Sequence, residues 1–253
     1  MITDKTRPYT PRLEKLDDLV AQIQAARGIN PNIRLLLGHG SGSFGHVEAS
    51  KYGTRQGVWD AQDWQGFNEV WYAASALNRL VMDAFHGSGL QVMTFPPSAS
   101  VIARDGQVAT WELSPLKSAL DAGIIPVVYG DAIFDMTWGG TILSTEDLFS
   151  YLAGFLHPQR ILLAGLETGV WEDFPRASKL IHEITPQDLD KRIQSLGGSA
   201  GTDVTGGMDA KVHQMLALVQ ETPELDVLIF SGEEPGNILK ALLGDILGTH
   251  LHN

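Results

Sequence analysis

No cysteine occurs anywhere in the 253-residue chain. That excludes thiol nucleophiles, disulfide scaffolds, Cys-ligated zinc and Cys-ligated iron–sulfur centres. Basic side chains are also scarce. Eighteen Lys and Arg stand against 30 Asp and Glu, a net charge of −12, so no basic footprint marks a nucleic-acid binder. No apolar run approaches the ~18 residues of a membrane helix. The opening stretch Met1 to Arg12 is polar, unlike a signal peptide. A soluble cytoplasmic enzyme, with neither nucleic acid nor membrane as partner, is the expectation, and the length suits one large α/β domain or two lobes.

What is abundant is glycine: 27 residues, about 11% against a usual ~7%, gathered in loops between apolar segments. A helical stripe, Leu13, Leu16, Leu19, Val20, Ile23 and Ala26, ends at Gly28. Buried strands are read at Ile33–Leu37, Leu90–Phe95, Ile124–Tyr129, Arg160–Ala164 and Val227–Phe230, and a hairpin at Ile133–Leu143. Helices are read at 63–85, 113–122, 148–156, 186–196, 208–220 and 236–243, with a last short strand at Gly248–Leu251. The alternation predicts an α/β fold, a three-layer αβα sandwich around a mostly parallel central sheet. A soft boundary at His157-Pro158 divides residues 1–158 from 159–253. The aromatic helix Trp64-Phe67-Trp71-Tyr72-Leu77-Leu80-Val81-Phe85 reads as core.

Two glycine loops carry the chemistry. Gly40-x-Gly42-x-x-Gly45 matches a dinucleotide fingerprint by letter, but that fold needs an acid about 20 residues on, at a strand tip. Asp60 and Asp63 lie in a stretch that does not read as a strand. The physical reading holds without NAD: small residues leave backbone N–H groups uncovered, and a following helix adds partial positive charge, which makes a phosphate cradle. His46, closing the loop, can give a charge-assisted hydrogen bond to a phosphate oxygen. The second loop, Asp203-Val204-Thr205-Gly206-Gly207-Met208, precedes a helix with Lys211 in its first turn. A lysine opposes the helix dipole there, so an anion between amides and ammonium gives it a reason. Residues 118–159 hold no Lys or Arg but five acids, Asp121, Asp131, Asp135, Glu146 and Asp147. Acids near a phosphate orient lysines or hold Mg²⁺ through water. Ser144-Thr145-Glu146-Asp147 reads equally as a helix N-cap. His250-x-His252 reads as a frayed end, and no residue is assigned as a direct metal ligand.

His39-Gly40-Ser41-Gly42-Ser43-Phe44-Gly45-His46 resembles the acceptor loop of isopentenyl phosphate kinases, of the amino acid kinase superfamily. The resemblance continues through Pro126–Asp131, Ile142–Asp147, Gly169-Val170-Trp171, Asp203–Met208 with Lys211, Ser231, Pro235-Gly236-Asn237 and Gly248-Thr249. It implies an amino acid kinase-like fold and ATP-dependent phosphorylation of isopentenyl phosphate to isopentenyl diphosphate, in an archaeal-type mevalonate route of isoprenoid biosynthesis. It also implies ATP and Mg²⁺ as cofactors and a homodimer. The N-terminal lobe would take the acceptor, at Gly40, Ser41, Gly42, Gly45, His46, Gly130 and Asp131. The C-terminal lobe would take ATP, at Gly169, Gly206, Gly207 and Lys211. Lys5 would steady the transferring phosphoryl group, with His46, Glu146 and Asp147 completing the catalytic set. Two glycine cradles without a nucleophile suit direct in-line transfer.

Members of that family open with a lysine-bearing strand and a Gly-Gly-Ser loop, and this sequence starts at Met1 inside that region. The resemblance therefore implies a missing first strand, with impaired catalysis and stability expected. Glu146 stands where the family usually has Asp. A fosfomycin-type phosphonate kinase and a non-catalytic phosphate-ligand-binding protein are the alternatives, and a dinucleotide-dependent dehydrogenase ranks last.

Overall fold

The computed structural model describes residues 1–188 and 207–253. The chain forms two compact units, Ile2–Phe149 and Ser150–Asn253, with Met1 counted in the second. The division thus falls inside a helix, ahead of the His157-Pro158 boundary read from the sequence.

The first unit contains α1 (Leu13–Ile29), β1 (Leu37–His39), α2 (Gly42–Tyr52), α3 (Ala61–Gly87), β2 (Val92–Thr94), β3 (Val101–Arg104), β4 (Gln107–Trp111), α4 (Ser114–Asp121), β5 (Ile125–Tyr129), β6 (Asp131–Asp135) and β7 (Gly139–Leu143), and ends in the start of α5 (Thr145–Leu156). Its parallel sheet has the order β1-β5-β2. All five residues of β5 are buried, as expected of a central parallel strand with both faces covered. A second sheet runs β4-β3-β6-β7. The β3–β4 hairpin was not read from the sequence, although its turn, Asp105-Gly106, carries positive φ at both residues (53° and 74°), the requirement of a type I′ turn. Asp135 fastens both turns: its carboxylate accepts N–H bonds from Asp105, Gly106, Thr137 and Trp138. Burial pushes that carboxyl up, but these bonds outweigh it and hold it below the usual range.

Three expectations change here. The strand expected at Ile33–Leu37 is confined to Leu37–His39. The segment Gly38–His46 is not all loop, because α2 already begins at Gly42. The aromatic stripe on α3 is core only in part. Phe67, Leu77, Val81 and Phe85 are buried, whereas Trp64 and Trp71 are 40% and Tyr72 is 66% exposed, since the buried stripe Phe67, Val70, Ala74, Leu77, Val81 and Phe85 follows one face of the helix and these three rings fall outside it. Its start is a capping box in which Asp60 accepts from Gln62 and Asp63. The acid that a dinucleotide site would have needed is therefore a helix cap.

The second unit contains the rest of α5, then β8 (Arg160–Gly165), β9 (Val170–Trp171), β10 (Leu180–Ile181), β11 (Glu183–Ile184), α6 (Gly207–Glu221), β12 (Asp226–Ser231), α7 (Asn237–Leu243) and β13 (Thr249–Leu251). The sheet order is β11-β13-β12-β8, with β12 parallel to β8 over its whole length and β13 antiparallel to β12. His250 is therefore in an inner strand and not at a frayed end. Of the helix expected at 186–196, the described part is a 3₁₀ turn, Pro186–Asp188; the remainder, and the loop through Gly206, lie outside the described residues. No described helix is long and apolar enough to cross a membrane.

Candidate active site

The N-terminus of α2 is built by close approaches of small residues and backbone. Gly42 has φ +51°, and a Cβ there would run into the Thr3 side chain. Thr3 Oγ1 accepts the Ser43 N–H at 3.1 Å, and the Tyr9 N–H donates back to the Ser43 carbonyl at 3.2 Å. Residues 4–8 therefore form a loop with both feet on Ser43, and that loop carries Lys5, which is exposed. At Gly45 a Cβ would meet the Ser41 side chain, so only glycine lets that helical turn close over Ser41. Gly40 is different: a Cβ there meets nothing within 4 Å. It directly precedes the N-cap Ser41, and the amides of Ser41 and Gly42 stand where helix N–H groups lack intrahelical acceptors and the dipole is positive. His46 lies one turn further along α2, partly buried.

The parallel strands end at the same place. The Gly130 N–H donates to the His39 carbonyl at 3.0 Å, joining the C-terminal ends of β1 and β5, the edge where α/β sheets hold ligands. His39 has no role in the sequence reading, yet it is a hub. Its ring stacks on Tyr129 (5.5 Å, 10°) and makes contacts with Asn78 Oδ1 at 3.2 Å and the Gly40 carbonyl at 3.0 Å. Desolvation lowers its pKa, and the two oxygens facing its ring nitrogens oppose that shift. Asn78 in turn donates to Thr94 Oγ1 at 3.0 Å. The sequence carries a signal for it: a histidine between two glycines, two residues past an apolar run.

Asp131 is fully buried. Its carboxylate accepts the Ser98 N–H at 3.1 Å and its neighbour Ala132's at 2.9 Å. Burial pushes its pKa up to about 6, and the N–H bonds limit the rise. Burial, with the nearby Asp131 charge, also raises the Tyr129 phenol.

The start of α5 closes this side. A Cβ on Gly38 would lie 2.5 Å from Thr145 Cγ2, so β1 and α5 touch backbone to side chain. Asp147 accepts the Ser144 N–H at 2.8 Å while its own N–H reaches Ser144 Oγ at 3.1 Å, a reciprocal cap. The same carboxylate pairs with Arg55 at 3.2 Å. Arg55 was not singled out in the sequence because it lies 92 residues away. Glu146 occupies the first turn of α5, half-buried.

In the second unit, Gly169 permits a close approach, since a Cβ would lie 2.6 Å from Thr249 Oγ1, which accepts the Val170 N–H at 2.8 Å. Gly207 has φ +73° and opens α6, with Lys211 as its fifth residue, at the start of the second turn and not in the first as expected. Gly206 lies outside the described residues. Ser231 ends β12, where its carbonyl accepts from Asn237 Nδ2 at 3.0 Å and its hydroxyl accepts the Glu233 N–H at 3.2 Å.

The profile of the amino acid kinase family matches residues 1–231. The chain belongs to the amino acid kinase family. Within that family, it is 30% identical to the isopentenyl phosphate kinase of Methanocaldococcus jannaschii, over 99% of this chain and 95% of the relative. It is 34% identical to that of Haloferax volcanii, over 95% of each. A solved isopentenyl phosphate kinase superimposes with a TM-score of 0.81 at 26% identity, covering 96% of this chain and 92% of the other. The αβα arrangement expected from the sequence is accordingly the amino acid kinase fold.

Proposed function

We propose that this chain is an ATP-dependent kinase that phosphorylates isopentenyl phosphate to isopentenyl diphosphate. The observation that supports this most is the 30% identity to an isopentenyl phosphate kinase across 99% of the chain, which takes in the glycine-rich segment on α2. In the reaction, an oxygen of the acceptor phosphate attacks the γ-phosphorus of ATP. The bond from that phosphorus to the β,γ-bridging oxygen breaks, and ADP leaves with the electron pair. The acceptor oxygen is already ionised, so no general base is needed, and positioning with charge neutralisation carries the rate.

The first unit takes the acceptor. The amides of Gly40, Ser41 and Gly42 cradle its phosphate, His46 donates to it, and Gly45, Gly130 and Asp131 shape the floor. Lys5 supplies positive charge to the transferring group from its exposed loop. The second unit takes ATP through Gly169, Gly206, Gly207 and Lys211. Asp147 already holds Arg55 and the start of α5, so it acts by fixing that helix beside Glu146. Magnesium, when bound, neutralises phosphate charge. Asp131 and Asp147 are committed to protein donors and form no cage for it, so phosphate oxygens and water fit it better. A cytoplasmic homodimer completes the reading.

The test is ADP release with Mg²⁺ and ATP, measured separately with isopentenyl phosphate, with fosfomycin and with no acceptor. Turnover that depends on isopentenyl phosphate supports the reading. Turnover with fosfomycin alone favours the small-phosphonate reading, and ligand binding without ADP release favours a non-catalytic binder.

A further inference from the structure

Three neighbouring strands of the second unit bring a set of metal-ligand side chains to one face. Glu183 on β11 is the register partner of His250 on β13, and register partners share a face. His252 follows two residues later on the same side, and its N–H donates to the Ile184 carbonyl at 3.4 Å, so the ladder continues past β13. One ligating atom each from Glu183, His250 and His252 lies within 4.8 Å of the others. Two ligands of a tetrahedral Zn²⁺ stand ~3.4 Å apart, given bonds of roughly 2.1 Å, so small side-chain rotations close the set. On β12, Asp226 Oδ1 lies 2.8 Å from His250 Nε2. That is the carboxylate–histidine pairing that fixes a ligating ring's tautomer and leaves the other nitrogen for metal.

We propose that Glu183, His250 and His252 bind one divalent transition-metal ion, with Asp226 orienting His250. Two imidazoles and one carboxylate suit Zn²⁺ and discriminate against Mg²⁺, which prefers an all-oxygen shell. The position argues for a structural clip and not for catalysis. Asp226 is the first residue of β12 and Ser231 the last, so the cluster lies at the opposite end of the strand, ~16 Å away at the usual rise, from the strand ends where a nucleotide is expected. A bound ion would fasten the two-residue edge strand β11 to β13.

The test uses the full chain, stripped with a chelator and dialysed. Zn²⁺ is titrated in excess Mg²⁺ against a chromophoric chelator, and Co²⁺ substitution reports the ligand geometry in the visible spectrum. The expected result is one Zn²⁺ per chain, a higher Tm with Zn²⁺, and affinity lower by ~10-fold or more in both Glu183→Gln and His252→Gln. Both side chains are at least partly exposed, and both variants should match the wild-type Tm without metal and keep its kinase activity. No stoichiometric Zn²⁺, or affinity unchanged in either variant, would overturn the three-ligand site.

Discussion

The Ser98 backbone N–H donates to the buried carboxylate of Asp131 at 3.1 Å, tying the loop after β2 to the first residue of β6, beside the proposed acceptor site. Burial raises this carboxyl to about 6 from an ordinary 3.8. The folded state therefore holds the proton more tightly than the unfolded chain. Asp131 favours folding below pH ~4, and that contribution is lost as pH rises through about 6. The full swing is on the order of 3 kcal/mol. Asp131→Asn removes the titration. The Tm difference, variant minus wild type, should rise between pH 4.5 and 7.5; parallel pH profiles would contradict the assignment.

Gly42 and Gly40 should respond differently to the same added methyl group. At Gly42 the left-handed backbone and the Thr3 side chain both oppose a Cβ, so Gly42→Ala should lower stability by about 1–3 kcal/mol. At Gly40 there is open space, so Gly40→Ala should leave Tm unchanged. If acceptor phosphate approaches that backbone closely, the variant should raise KM for isopentenyl phosphate. Urea unfolding and steady-state kinetics on the pair separate the two roles.

Asp147 caps α5 and holds Arg55. Asp147→Ala should cost about 1–2 kcal/mol of stability. Asp147→Asn keeps an acceptor for the Ser144 N–H and should recover part of that loss. A fall in kcat of more than ~100-fold in Asp147→Asn, at unchanged stability, would instead place the carboxylate in the chemistry.

His46 and Lys211 are assigned to different substrates. His46→Ala should weaken use of isopentenyl phosphate by ~1–3 kcal/mol, the scale of one charged hydrogen bond, with little change in KM for ATP. Lys211→Ala should raise KM for ATP and leave the acceptor's nearly unchanged. The opposite pattern would reverse the assignment.

Much of this architecture is legible in the sequence because buried parallel strands write themselves as apolar runs. The buried stretches Ile125–Tyr129 and Val227–Phe230 were read within a residue of their observed ends. Tertiary partners hid the rest. The start of α2 was masked by glycines whose need becomes visible only with Thr3 and Ser41 beside them. Arg55 finds Asp147 across 92 residues, a pairing no local pattern encodes. The Asp105-Gly106 turn is encoded by turn chemistry, but strands as short as the two it joins carry little pattern of their own. His250 looked frayed because β13 is three residues long, and its neighbours on both sides come from distant segments.

The most direct test of the central claim is ³¹P NMR of the chain with isopentenyl phosphate, ATP and Mg²⁺. The account predicts loss of the acceptor's monophosphate resonance and growth of two mutually coupled diphosphate resonances, in step with ADP. ADP accompanied only by inorganic phosphate, or an acceptor resonance that persists unchanged with active-site residues intact, would contradict it.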